Sequence, residues 1–128
     1  MWAQGWASLY DLMEPYAGVG DIDVDATLKT KDYSPQEMTR SAENFYVSLG
    51  MPRLPDTFWE RSMFSKPRDR DVVCHASAWG LDGGNDLRIK MCIKQTYDEL
   101  RVIYHELGHN YYQYAYRDQP PLFQNDPN

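Results

Sequence analysis

The chain has 128 residues, 42% of them hydrophobic and 14% aromatic, with 8 Gly and 8 Pro. That length suits one domain with a modest core, and the composition excludes a disordered or low-complexity chain. The 13 basic and 19 acidic residues leave a formal net charge of −6, which argues against nucleic acid or an anionic membrane as the main partner. No run is apolar enough to span a membrane, and the opening Met1-Trp2-Ala3-Gln4-Gly5-Trp6 lacks the basic and apolar regions of a signal peptide. Such an opening is expected of an internal piece of a longer chain.

Trp2, Trp6, Leu9 and Met13 recur at helical spacing and predict a helix over about 2–13, stopped by Pro15. Residues 14–33 are rich in Gly and Asp and read as a loop with one helical turn near 26–31. Ser34-Pro35-Gln36-Glu37 is a helix start, with Ser34 as cap, Pro35 in the first turn and Glu37 closing a capping box. The helix is predicted over 35–49, with Met38, Ala42, Phe45 and Leu49 as its apolar stripe and Gly50 as its stop. Pro52 and Pro55 stiffen a connection to a short amphipathic helix over about 57–64, and alternating charges over 66–71 read as a solvated linker.

The one β signal lies at 72–93. Two β-prone runs, 72–79 and 87–93, flank Leu81-Asp82-Gly83-Gly84-Asn85-Asp86, a turn-forming cluster. Cys74 and Cys92 have their midpoint at (74 + 92)/2 = 83, on Gly83. A hairpin turning there sets Cys74 opposite Cys92, His75 near Met91 and Ala76 near Lys90. That spacing favours a Cys74–Cys92 disulfide and an oxidising compartment, with two free core thiols as the alternative. The last helix, about 97–117, opens on a Thr96/Glu99 capping box. It carries Leu100, Ile103, Leu107, Tyr111 and Tyr114 at helical spacing and ends before Pro120-Pro121.

Within that helix stands His105-Glu106-Leu107-Gly108-His109. Residues i and i+4 share a helical face, so both imidazoles can reach one zinc ion. Glu106, one step round, is placed to act on a proton of a metal-activated water. The bland alternative is a solvated face bearing two histidines and a carboxylate. A catalytic zinc takes three protein ligands plus water, and the other candidates are few: His75 on the hairpin, then Asp118 and Asp126. Read alone, the site is one ligand short.

These residues resemble the M2 peptidyl-dipeptidases, the angiotensin-converting enzyme family. The likeness runs through Met1-Trp2-Ala3-Gln4, Phe58-Trp59, Ser62-Met63 and Lys66-Pro67 to Val72-Val73-Cys74-His75-Ala76-Ser77-Ala78-Trp79. It continues through Arg88-Ile89-Lys90, Cys92, His105 to His109, Tyr114 and Asp118. The resemblance implies a mainly α fold with one small antiparallel β-hairpin, the zincin-like (gluzincin) part of a single catalytic domain, with 1–128 an internal fragment of it. It implies a secreted or periplasmic zinc hydrolase that releases C-terminal dipeptides from oligopeptides, chloride-activated in many members.

His105 and His109 look like the first two ligands of one Zn2+, and Glu106 like the general base. His75 is similar to the histidine that hydrogen-bonds substrate near the scissile bond. The backbones of Ala76 and Ala78 would line the peptide as an edge strand, and Gln4 resembles a glutamine that holds the substrate carboxylate. Cys74 and Cys92 match a family disulfide. Asp98 and Glu99 fall where the family places part of a specificity pocket, yet Glu99 also serves as the cap partner, and the cap is the preferred reading.

The chain departs from many relatives at Tyr104 and Gly80, where a histidine and an aspartate are common. The third ligand is expected on a helix beyond Asn128, the transition-state and chloride groups further on, and the lid helices before Met1. The isolated chain is accordingly expected to be inactive. The competing reading is a non-catalytic peptide-binding module of the same descent. No Asn-x-Ser/Thr sequon occurs.

Overall fold

The computed structural model of the chain describes residues 22–124 together with Leu9 and Leu12. The helix expected over 2–13, and Gln4 within it, lie outside the described residues. Four helices follow in order, α1 (Val24–Thr30), α2 (Pro35–Ser48), α3 (Asp56–Arg61) and α4 (Tyr97–Tyr116), with strands β1 (Ser77–Gly80) and β2 (Leu87–Lys90) between α3 and α4. The described residues are mostly helical with one small antiparallel sheet, as expected from the sequence.

α1 starts earlier than the single turn expected near 26–31, because Asp23 caps it, its carboxylate accepting from the Ala26 N–H at 2.8 Å. α2 begins on the anticipated capping box: the Glu37 N–H donates to Ser34 Oγ and the Ser34 N–H to the Glu37 carboxylate. Its buried face differs from the expected stripe. Met38 and Ala42 are in the core, but Phe45 and Leu49 are 44% and 61% exposed, and Glu43 is fully buried instead. Glu43 is drawn in by partners the helical pattern does not contain. Its carboxylate accepts from Arg40 (2.8 Å), Arg53 (3.0 Å) and the Leu54 N–H (3.0 Å). It thereby pins the connection after α2 against the helix.

α3 is also shorter than the expected 57–64. Ser62 turns extended, and Ser62, Met63 and Phe64 run along β2 instead. The Met63 N–H donates to Ile89 O, Met91 N–H to Met63 O, Ile93 N–H to Phe64 O, and the Ile89 N–H to Ser62 Oγ. These bonds occupy the side of β2 facing away from β1.

The hairpin exists, with shorter strands and a register one residue from the expected one. Ser77 faces Lys90, Ala78 faces Ile89, Trp79 faces Arg88 and Gly80 faces Leu87. The connection holds six residues, so the axis falls between Gly83 and Gly84 rather than on Gly83. Asp82 sets this turn by accepting the N–H groups of Gly84 (2.8 Å) and Asp86 (2.9 Å), and Gly83 supplies the positive φ of 65°. Ala76 and Lys90 are therefore not partners. Cys74 and Cys92 lie outside the paired strands, yet their Cα atoms are 5.2 Å apart and the sulfurs are bonded. The segments flanking the two strands, not the ladder itself, bring them together.

Met38, Phe58, Leu87, Ile89, Met91, Ile103 and Leu107 are essentially fully buried. α4 lies across this core, packed on α2 along one side and on the hairpin along another. Thr96 caps it, accepting from the Glu99 N–H at 3.3 Å. The Thr96 N–H donates to Lys94 O rather than to the Glu99 carboxylate, which leaves the expected capping box half made.

Glu43→Ala is expected to destabilise the fold by about 2 kcal/mol, because it strands the buried Leu54 N–H. Chemical denaturation of Glu43→Ala and Glu43→Gln checks this, with Gln, which keeps an acceptor, the milder of the two. Burial, and after it the Glu43 carboxylate, push the Tyr111 phenol from 10.0 up to about 12. The folded state therefore holds a proton that the unfolded chain releases. Stability from this group is full below pH 10 and is lost as pH rises toward 12. Over that interval the wild-type denaturation midpoint is expected to fall further than that of Tyr111→Phe.

Candidate metal centre

The described part of α4 places His105 and His109 one turn apart on an exposed face, with Ile103, Leu107 and Tyr111 on the buried one. The core stripe fixes the rotation of the helix, and that rotation aims the histidines outward. Their Nε2 atoms stand 3.0 Å apart, with ring centroids 4.6 Å apart and ring planes at 84°. Zinc–imidazole bonds of about 2.0–2.1 Å in tetrahedral geometry put two ligand nitrogens about 3.3 Å apart. The pair thus fits two corners of a zinc site, needing only a small opening. Among the described residues no group of three His, Cys, Asp or Glu gathers around one point.

Glu106 lies beside the pair and is buried, 7% exposed, and its carboxylate has no hydrogen bond or ion pair among the described residues. Asp118 sits past the end of α4, 3.6 Å from Arg117 and exposed.

The other expected positions lie on the hairpin. His75 is exposed, its Nδ1 donating to Ala76 O at 2.8 Å. Ala78 is in β1 and Ala76 just precedes it, both half-buried. The direction of their backbone groups follows from the ladder. Ile89 spends its N–H and C=O on Ser62 and Met63, so its partner Ala78 is in a non-hydrogen-bonded pair. The N–H and C=O of Ala78 therefore point away from β2, to the sheet edge that is open among the described residues. Ala76 precedes the paired strand, and its C=O accepts from the His75 ring.

Asn110 joins the two halves. Fully buried next to His109, it donates from Nδ2 to Trp79 O (3.2 Å) and to Arg88 O (3.4 Å), and so ties α4 to both strands. Sequence reasoning passed over it. The available signal was an amide set among Ile103, Leu107, Tyr111 and Tyr114 on the apolar stripe, since a polar side chain there needs a buried partner. Gly80, the departure noted after Trp79, faces α4 at a point where a Cβ would stand 3.0 Å from Gln113 Oε1.

The family profile of the M2 peptidases, described as angiotensin-converting enzyme, matches residues 1–128. The chain belongs to the M2 peptidase family. It is 46% identical over 121 residues to the angiotensin-converting enzyme of Oryctolagus cuniculus, covering 94% of this chain and 9% of the relative. It is 42% identical over 129 residues to that of Sus scrofa, covering all of this chain and 10% of the relative. It is 41% identical over 128 residues to an angiotensin-converting enzyme-related protein of Drosophila melanogaster, covering all of this chain and 20% of the relative. The M2 chain described here thus spans roughly a tenth to a fifth of these relatives' lengths.

Asn110→Ala is expected to cost about 1–3 kcal/mol by removing the buried side-chain donor that ties α4 to the Trp79 and Arg88 carbonyls. It is also expected to raise amide hydrogen exchange in β1 more than in α2. Reduction of Cys74–Cys92, which closes a loop of sequence separation 18, is expected to lower stability by about 3 kcal/mol. Denaturation with and without a reductant measures it.

Proposed function

We propose that this chain supplies the zinc-binding helix and the substrate-facing edge strand of a secreted or periplasmic M2 peptidyl-dipeptidase, a hydrolase acting on oligopeptides. The observation that carries the reading is the convergence of His105 Nε2 and His109 Nε2 beside the unengaged Glu106 carboxylate.

His105 and His109 would hold one zinc ion, with a third ligand from outside the described residues. When bound, zinc supplies a Lewis acid that lowers the pKa of a coordinated water to about 7. Glu106 accepts the proton of the attacking water and returns it to the leaving amine, which is why it stands beside the ligands rather than among them. An extended peptide aligns along the open edge of β1, pairing with the backbones of Ala76 and Ala78. His75 donates to that peptide near the scissile bond. Gln4 is assigned to the substrate's C-terminal carboxylate on the family likeness alone. The Cys74–Cys92 bond agrees with an oxidising compartment, and no helix of the described residues is long and apolar enough to cross a membrane.

With two ligands from one helix, the 128 residues alone are expected to hold zinc weakly and to turn over little or no substrate. In the whole protein that carries this chain, Glu106→Gln is expected to keep zinc and to lose about 10²–10⁴-fold in dipeptide release. His105→Ala and His109→Ala lose both. Full activity in Glu106→Gln, or a wild-type protein that binds peptides and releases no dipeptide, contradicts the reading, the latter in favour of a binding module.

A further inference from the structure

Two residues outside the expected site meet the zinc-motif helix where its rotation is set. The Tyr46 hydroxyl, on α2, donates to the backbone carbonyl of Tyr104 at 2.8 Å. A Cβ built on Gly108 would stand 2.9 Å from that hydroxyl oxygen and 3.9 Å from the ring carbon bearing it. Apart from the helix's own backbone and the adjoining Leu107 and His109, no other atom of the described residues comes within 4 Å. The hydroxyl therefore occupies the place of a side chain at position 108. Tyr104 and Gly108 each immediately precede a histidine of the pair, and they share a helical face as i and i+4.

The Tyr46 ring is itself fixed, 4.5 Å from the Tyr111 ring and 5.2 Å from Phe45, and Phe45 lies 5.4 Å from Tyr104. We propose that Tyr46 and Gly108 act together as positioning residues for the metal pair, the hydroxyl seated against the glycine fixing the rotation of α4 and so the aim of His105 and His109. Burial, and after it Tyr104, raise the Tyr46 pKa, so the hydroxyl stays a donor in neutral solution.

The proposal rests on the zinc reading of the pair, and it makes a prediction that simple packing does not. Gly108→Ala puts a methyl into the hydroxyl, so the Tyr46 side chain must break its bond to Tyr104 O or the two helices must shift. Tyr46→Phe removes only the oxygen at 2.9 Å, leaving the ring carbon at 3.9 Å, ordinary contact for an alanine at 108. The damage of Gly108→Ala should therefore be repaired by adding Tyr46→Phe. Cobalt(II) serves as the probe on the 128-residue chain, read by its visible spectrum and by competition with a chelator. The ring 1H–15N signals of His105 and His109 are read without metal.

Gly108→Ala is expected to weaken cobalt binding about tenfold and to shift both ring signals. Tyr46→Phe, which loses the hydroxyl's bond to Tyr104 O, is expected to weaken binding about threefold, and the double variant to match Tyr46→Phe in affinity, spectrum and ring signals. Thermal stability separates a general folding effect, since alanine is the better helix former and the double variant should melt above Tyr46→Phe. Wild-type affinity and ring signals in Gly108→Ala overturn the proposal, as does a double variant no better than Gly108→Ala. If two ligands hold cobalt too weakly to measure in the wild-type chain, the metal-free ring signals decide whether the lock aims the histidines, whereas the zinc reading stands or falls on the whole protein.

Discussion

Two imidazole nitrogens one helical turn apart converge only while the backbone between them stays helical and the helix holds its rotation. Everything chemical in this chain depends on that constraint. A rotation of α4 about its axis would keep each histidine intact and still change where the pair points. The fold meets the constraint with one helix performing two tasks on neighbouring faces. Ile103, Leu107 and Tyr111 are sunk in the core, while His105 and His109, offset by the helical step, are left exposed.

The same helix also holds the strand expected to receive peptide. Leu87 and Ile89 of β2 are buried, and Asn110 reaches the carbonyls of Trp79 and Arg88. β2 is engaged on both sides, by β1 and by Ser62 and Met63, so the edge left open among the described residues is that of β1. Cys74–Cys92 closes the far end of the hairpin, where pairing has stopped. The face proposed to bind metal and the edge proposed to pair with peptide are thereby built on one packed unit, which is what orienting a peptide bond against an ion would require.

The parts of this structure that local chemistry determines were legible in the sequence. The Ser34/Glu37 box, the Thr96 cap, the HExxH spacing and the turn cluster at 81–86 each needed only a few neighbouring residues to be read. What escaped was set by partners distant along the chain. Glu43 was buried by Arg53 and Leu54 rather than by its place on the helical stripe, and Phe45 and Leu49 were left exposed as a result. Residues 62–64 gave up a helical pattern to bond with β2. The hairpin register moved by one residue because Asp82 organised a six-residue connection, which a midpoint calculation on two cysteines cannot sense. At the site, the paired histidines were readable from spacing alone. Asn110 and Tyr46 were not singled out, since their roles exist only once α4 meets the hairpin and α2.

The central claim is that His105 and His109 ligate the same ion, and zinc K-edge X-ray absorption of the zinc-loaded chain tests it most directly. Two imidazole nitrogens at about 2.0–2.1 Å, reduced to one in His105→Ala, are expected. A metal shell with a single imidazole or none in the wild-type chain, or one that His105→Ala leaves unchanged, would contradict it.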